Sequence, residues 1–106
     1  RRARGGVSKT HLSIANLEFD TVALKVKRAG INIDLPPITL KILEILMRQS
    51  PRVVSRVEIE RYIWGDDLPD TDSLRVHVNT LRKFIDKPFD KQLLKTVRGI
   101  GYCITN

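Results

Sequence analysis

Residues 93–104 have the sequence LLKTVRGIGYCI, and this stretch decides how the end of the chain folds. Apolar and β-branched residues on both sides of two glycines are typical of short strands. Gly99 and Gly101 interrupt the strand pattern, and glycine permits the backbone angles of a tight turn. The stretch therefore predicts a β-hairpin with Arg98 beside the glycines at its narrow tip.

A helix is predicted directly before this hairpin, from about Asp72 to Asp86, because Pro88 follows it. One side of the helix carries an apolar stripe spaced by four, three and four residues, formed by Leu74, Val78, Leu81 and Ile85. At about 100° per residue, the opposite side carries Val76, Asn79, Thr80 and Lys83, with Arg75 and Arg82 on one flank and His77 on the other. The apolar face is therefore expected to pack in the core, and the polar face is expected to contact a ligand.

A second helix is predicted just upstream. Ser55 and Glu58 match the S-x-x-E capping box, and the helix closes at Trp64 and Gly65, where glycine permits the left-handed conformation that ends many helices. Its inner face carries Ile59 and Ile63. The following loop offers three side chains that can cap the next helix, Asp70, Thr71 and Asp72. Two helices joined by a short turn and followed by a hairpin have the connectivity of a winged helix-turn-helix.

The first third of the chain predicts a small antiparallel sheet over residues 11–35, since apolar residues occupy alternate positions there. Leu24 belongs to this alternating set, and Gly30 supplies a hairpin turn. A helix is then predicted from about Ile38 to Ser50, with apolar residues on more than one side, which implies contacts on two sides. Short strands are predicted at 53–54, 94–98 and 102–104, so the fold class is α+β.

Length and charge fit one domain with a polyanionic partner. The chain has 106 residues and a formal net charge of +7, with +5 on residues 1–28, −2 on residues 29–70 and +4 on residues 71–106. A basic surplus at both ends fits a protein that presents one face to a polyanion. Residues 1–10 are expected to be a flexible basic tail, and residues 11–106 the domain. The missing initial methionine suggests a piece of a longer polypeptide.

Enzyme and metal chemistry find little support in the sequence. Four aspartates at 66, 67, 70 and 72 do not match the calcium-loop pattern, and His11 and His77 lack partners at ligand or catalytic spacing. We therefore predict no catalytic residue, metal or cofactor. Cys103 is the only cysteine and is expected to pack within a protein of the reduced cytoplasm. Neither a signal peptide nor a membrane span is predicted.

The outward face of the last helix is suited to the major groove of DNA. Middle residues on such a helix must be small or hydrogen-bonding to approach base edges, whereas cations on its margins meet phosphates. Val76 gains nothing from water, but it can contact a thymine methyl group. Arg98, flanked by residues without bulk, can enter a minor groove, where negative potential is concentrated. The composition and spacing therefore favour a sequence-specific binder of double-stranded DNA.

With these residues in hand, the chain resembles the DNA-binding effector domain of OmpR/PhoB-type response regulators. The resemblance covers about residues 12 to 104. It rests on TVRGIGY at 96–102, VHVNTLRK at 76–83 and YIWG at 62–65, and on the spacing between these blocks. It implies a four-stranded N-terminal antiparallel sheet, three helices and a C-terminal β-hairpin wing. It also implies a bacterial two-component phosphorelay with an upstream receiver domain, and a chain that is monomeric alone and dimeric on tandem half-sites.

The resemblance also implies roles for single residues. It implies phosphate contacts from Arg56, Trp64, His77, Arg82 and Thr96, base contacts from Asn79 and Thr80, and a minor-groove contact from Arg98. From their positions on the outward face and flank of the last helix, Val76 and Lys83 are also expected to contact bases, and Arg75 a phosphate. A loop facing RNA polymerase is expected at Asp66, Asp67, Leu68, Pro69 and Asp70.

Some positions depart from the family pattern. Asn79 and Thr80 stand where relatives often carry arginines, Arg75 where an acidic residue is common, and Thr39 where glutamate is usual. The operator sequence therefore cannot be taken from relatives. Two alternatives stay open: a winged helix attached to a membrane or other sensory module, and a winged helix that serves as a protein-interaction module.

Overall fold

The computed structural model describes residues 10–67 and 72–106. The predicted tail, apart from Thr10, lies outside the described residues, as do Leu68, Pro69, Asp70 and Thr71. The elements follow in the order of four strands, a helix, a short strand, two helices and two strands. This is the α+β architecture predicted from the sequence: a four-stranded antiparallel sheet, three helices and a C-terminal hairpin.

The N-terminal sheet has the antiparallel order β1-β2-β3-β4. Its strands are His11–Ile14, Leu17–Asp20, Lys25–Arg28 and Ile31–Ile33. The predicted turn is confirmed at Ala29 and Gly30, both of which have positive φ. The prediction for Leu24 is wrong. Leu24 lies in the turn between β2 and β3, with φ 57° and 59% of its surface exposed, because Asp20 accepts the N–H groups of Val22 and Ala23 and closes that turn.

Helix α1, Pro37–Gln49, lies in the middle of the fold and begins with proline, as expected from its missing N–H. It contacts β1 on one side and α2, α3 and β7 on others, so the predicted two-sided packing is confirmed. Thr39, the departure from the family pattern, is fully buried, and its hydroxyl donates to the Pro36 carbonyl at 2.6 Å. The hydroxyl thus has an acceptor despite its burial.

Helix α2, Arg56–Trp64, follows strand β5, Val54–Ser55. The predicted cap is present, since the Ser55 hydroxyl accepts the Glu58 N–H at 3.1 Å. Hydrogen bonding from the Arg52 guanidinium lowers the pKa of the Glu58 carboxyl. Gly65 ends the helix with φ 63° and ψ −127°, so φ is positive as predicted, but ψ differs from the left-handed helical value.

Helix α3, Ser73–Ile85, buries the whole predicted stripe of Leu74, Val78, Leu81 and Ile85. Of the three candidate caps for this helix, Asp72 is the one that the structure describes, and its side chain does not cap the helix. Asp72 is the N-cap residue but makes no side-chain cap hydrogen bond, because its carboxylate lies toward Arg75, at 3.7 Å from that guanidinium. The other two candidate caps, Asp70 and Thr71, lie outside the described residues.

The C-terminal hairpin consists of β6, Leu94–Val97, and β7, Gly101–Ile104, and β7 also pairs with β5 to form the order β5-β7-β6. Gly99 has φ +78° at the tip, a conformation that glycine adopts without strain. Gly101 lies against the backbone of β5, where an added Cβ would be 2.0 Å from the Val54 carbonyl oxygen. Cys103 is buried, so its predicted packing role is confirmed.

A buried ion pair joins the two sheets and was missed from the sequence. Arg28, at the end of β3, donates to the Asp86 carboxylate at 2.9 Å, and both side chains are almost fully buried. Arg28 also donates to the carbonyls of Ile85 and Lys91. Asp86 accepts the N–H groups of Leu93 at 3.1 Å and of Leu94 at 2.9 Å. The pair therefore connects the N-terminal sheet, the end of α3 and the start of the hairpin.

Candidate nucleic-acid interface

The outward face of α3 is exposed where the sequence predicted it. Val76 is 57% exposed, Asn79 and Lys83 are exposed, and Thr80 is partly exposed. Burial of the opposite stripe holds the helix in this orientation, since turning it would bring Leu74 and Val78 into water. The structure therefore places all four predicted base-contacting residues on one open surface.

Two hydrogen bonds act on this face from within the protein. The Thr80 hydroxyl donates to the Val76 carbonyl, one turn earlier, at 3.1 Å. The Asn79 side-chain oxygen accepts from the Arg82 guanidinium at 3.4 Å. Both polar side chains in the middle of the face are thus engaged before any ligand arrives.

Arg82 also connects α3 to the hairpin. A second nitrogen of its guanidinium donates to the Thr96 hydroxyl at 2.8 Å. Because Thr96 lies in β6, this bond fixes the base of the hairpin against the outward face of α3. Local sequence patterns gave no signal for this contact, since the two residues belong to different elements.

The tip of the hairpin projects into solvent. Arg98, Gly99 and Ile100 are all exposed, Ile100 to 59%. The Arg98 side chain has no hydrogen-bond or ion-pair partner among the described residues. Its charge is therefore available to a ligand, as the sequence predicted.

The remaining predicted phosphate-contacting residues lie around the same surface. Trp64 and His77 approach each other across α2 and α3, with ring centroids 6.2 Å apart. Arg56, at the start of α2, and Thr96 line one cleft between that helix and the hairpin. Arg75 is exposed on the flank of α3, near Asp72. Residues from α2, α3 and the hairpin therefore border a common surface.

One basic residue was missed from the sequence. Lys87 lies with Asn79, Arg82, Lys83 and Gln92 around a shallow depression beside the end of α3. Lys87 follows the end of α3 at Ile85, so the spacing of residues on the helix gave no signal for it. Lys87 extends the positive surface beyond the last turn.

The described residues also bear on metal clusters, membrane spans and the predicted polymerase-facing loop. Within the described ranges, no group of three or more metal-binding side chains is assembled, and no helix is long and apolar enough to cross a membrane. Asp66 and Asp67 of the predicted polymerase-facing loop are exposed, whereas Leu68, Pro69 and Asp70 lie outside the described residues.

A helix-turn-helix whose second helix exposes a polar face, followed by a hairpin with an arginine at its tip, defines a winged-helix nucleic-acid-binding domain. The sequence model of the family "Transcriptional regulatory protein, C terminal" matches residues 30–104. The chain belongs to this family, a class of transcription regulators and not of enzymes.

Curated relatives and solved structures agree with this assignment. The transcriptional regulatory protein CusR of Escherichia coli K12 is 33% identical over 105 residues, which cover 98% of this chain and 46% of CusR. The response regulator DrrB, a Thermotoga maritima OmpR/PhoB homologue, superimposes with a TM-score of 0.80 at 26% identity, covering 92% of this chain and 45% of DrrB. The resemblance to OmpR/PhoB-type response regulators is thereby confirmed. The chain spans less than half the length of these curated relatives.

A solved complex also contains a similar domain. The DNA-binding domain of Klebsiella pneumoniae RstA, in complex with the RstA box, superimposes with a TM-score of 0.79 at 26% identity. The match covers 90% of this chain and 96% of that domain. The described fold is thus that of a domain crystallised on DNA.

Proposed function

We propose that this chain is the DNA-binding effector domain of a response regulator and that it controls transcription by binding specific double-stranded sequences. Helix α3 docks in the major groove, and Arg98 enters the adjacent minor groove. The observation that carries the proposal is the exposed face of α3 beside the hairpin, two elements that the Arg82–Thr96 hydrogen bond connects. The molecule acts by binding and performs no catalysis.

The partners of the whole protein belong to the same proposal. Because the curated relatives are more than twice as long as the matched region, we propose that a receiver domain precedes this one and that phosphorylation there promotes dimeric binding to tandem half-sites. Asp66 and Asp67 form the described part of a surface for RNA polymerase. The cytoplasmic location expected from the sequence stays a prediction.

Truncating Arg98 to alanine tests the wing. We expect operator binding to weaken by about 1 to 3 kcal/mol, with unchanged stability, since the side chain is exposed at a turn. Titration of a fluorescent operator duplex measures the affinity, and thermal unfolding controls for folding. Arg61→Ala is a charge-matched control, because Arg61 is an exposed arginine on α2. Equal affinity of the Arg98 variant and the unaltered chain would exclude a minor-groove role.

Truncating Asn79 to alanine tests base readout. We expect a changed preference among operator variants at one or two base pairs, because a base contact discriminates where a phosphate contact does not. Competition between operator variants measures the preference at each position. A uniform loss of affinity for all duplexes would instead assign Asn79 to the backbone.

A further inference from the structure

We propose that two hydrogen bonds inside the protein determine which atoms the recognition face offers to DNA. Asn79 offers hydrogen-bond donors, and Thr80 offers an acceptor. The operator then presents an acceptor atom to Asn79, either N7 of a purine, O6 of guanine or O4 of thymine, and an exocyclic amino group, from cytosine or adenine, to Thr80. The inference rests on the proposed function and specifies its ligand.

The orientation of the Asn79 amide follows from its neighbour. A guanidinium only donates hydrogen bonds, so the atom of Asn79 that faces Arg82 must be the oxygen. Arg82 is itself held in place by its 2.8 Å bond to Thr96. With the oxygen turned toward Arg82, the amide nitrogen and its two donors face the groove.

Such an amide cannot pair with adenine in the usual way. An asparagine that recognises adenine donates to N7 and accepts from the N6 amino group, which requires its oxygen. The major-groove acceptors that suit a donor are N7 of either purine, O6 of guanine and O4 of thymine. Arg82 is therefore a positioning residue for specificity, in addition to its expected phosphate contact.

The polarity of Thr80 follows from the same reasoning. A hydroxyl has one proton, and that of Thr80 is directed to the Val76 carbonyl, which can only accept. The lone pairs that remain on the oxygen accept from a donor in the groove. The amino groups N4 of cytosine and N6 of adenine are the donors available there.

Selection from a random duplex pool, followed by deletion of single base atoms, tests the proposal on the whole chain. The base pair that depends on Asn79 is the one whose preference Asn79→Ala abolishes. For a G·C pair, 7-deazaguanine replaces N7 with a carbon; for an A·T pair, 7-deazaadenine replaces N7 and a pyrimidin-2-one removes O4. We expect deletion of the acceptor that Asn79 contacts to weaken binding of the unaltered chain about fivefold to a hundredfold and to leave binding of Asn79→Ala unaffected. Sensitivity to removal of the amino group at this pair would overturn the inference.

Changing Arg82 to methionine tests whether Arg82 sets the orientation of the Asn79 amide. This variant frees the Asn79 oxygen, so the affinity for adenine relative to guanine at the same pair is expected to rise at least about fivefold. Arg75→Met is the matched control, because Arg75 lies on the same flank but pairs with Asp72. Reduced salt keeps both variants in a measurable range. An unchanged ratio in Arg82→Met would overturn the positioning role.

A conservative pair of variants tests Thr80. Thr80→Val has the same shape but lacks the acceptor, and it is expected to lose the dependence on the exocyclic amino group, whereas Thr80→Ser retains it. Dependence on an acceptor atom at that pair would contradict the proposal.

Different results would overturn the proposed DNA binding and the inference about Asn79 and Thr80. A pool that shows no enrichment would overturn sequence-specific binding itself. Enrichment in which the Asn79-dependent pair is read through an amino group, or in which Asn79→Ala alters no position, would overturn only the inference about polarity.

Discussion

Replacing Asp86 with alanine is expected to lower the free energy of unfolding by about 3 to 5 kcal/mol. The carboxylate accepts three hydrogen bonds, from Arg28, Leu93 and Leu94. Its removal leaves a buried positive charge and two buried N–H groups without this acceptor. Urea unfolding followed by circular dichroism measures the change.

Asp90→Ala is the matched control for this prediction. Asp90 is an exposed carboxylate only four residues away, so its loss should change stability by no more than roughly 0.5 kcal/mol. An Asp86 variant as stable as the Asp90 variant would contradict a structural role for the buried pair. A double-mutant cycle with Arg28→Ala isolates the coupling, which should be large because the two side chains are in direct contact.

Replacing Gly101 with alanine is expected to cost about 3 kcal/mol, the upper end of typical overpacking penalties. The new Cβ would lie 2.0 Å from the Val54 carbonyl oxygen and 2.9 Å from the Ser55 Cα, and both are backbone atoms. The pairing of β5 with β7 must therefore open or shift. The hairpin would move relative to α3, so operator affinity is also expected to fall. Thermal unfolding and duplex titration of the same samples measure the two effects.

Gly99→Ala separates crowding from backbone conformation. A Cβ at Gly99 would meet nothing within 4 Å, so only the positive φ of +78° is disfavoured. That strain costs about 1 to 2 kcal/mol. If Gly99→Ala destabilised the chain as much as Gly101→Ala, the close approach of β5 and β7 would not explain the requirement for glycine at position 101.

Patterns that depend on neighbours in the chain predicted most of the fold. The stripe from Leu74 to Ile85 was identified correctly because a regular helix repeats every 3.6 residues, and all four of its members are buried. The cap at Ser55 was predictable because the N–H group that it accepts belongs to Glu58, only three residues away. The exposed positions of Val76 and Asn79 followed from the stripe without further information.

Local hydrogen bonds and ion pairs explain two differences between the sequence-based expectations and the structure. Leu24 fits the alternation of a strand, but the Asp20 carboxylate closes a turn around it. Asp72 has the chemistry of a cap, yet its carboxylate lies toward Arg75. Local composition decided neither case, because leucine favours a strand over a turn position with positive φ, and aspartate suits both a cap and an ion pair.

Individual side-chain contacts between distant elements could not be predicted. Arg28 and Asp86 are 58 residues apart, and in the sequence both resemble ordinary surface charges. Arg28 lies two residues after the buried Val26, a spacing that places both on the same face of β3. Only the folded structure shows that Asp86, at the end of α3, lies against this face and pairs with Arg28.

The buried pair also has a mechanical consequence. Arg28 belongs to the sheet nearest the start of the chain, while Asp86 holds the first residues of the strand that leads to Arg98. A shift of that sheet would therefore also move the start of the strand that leads to Arg98.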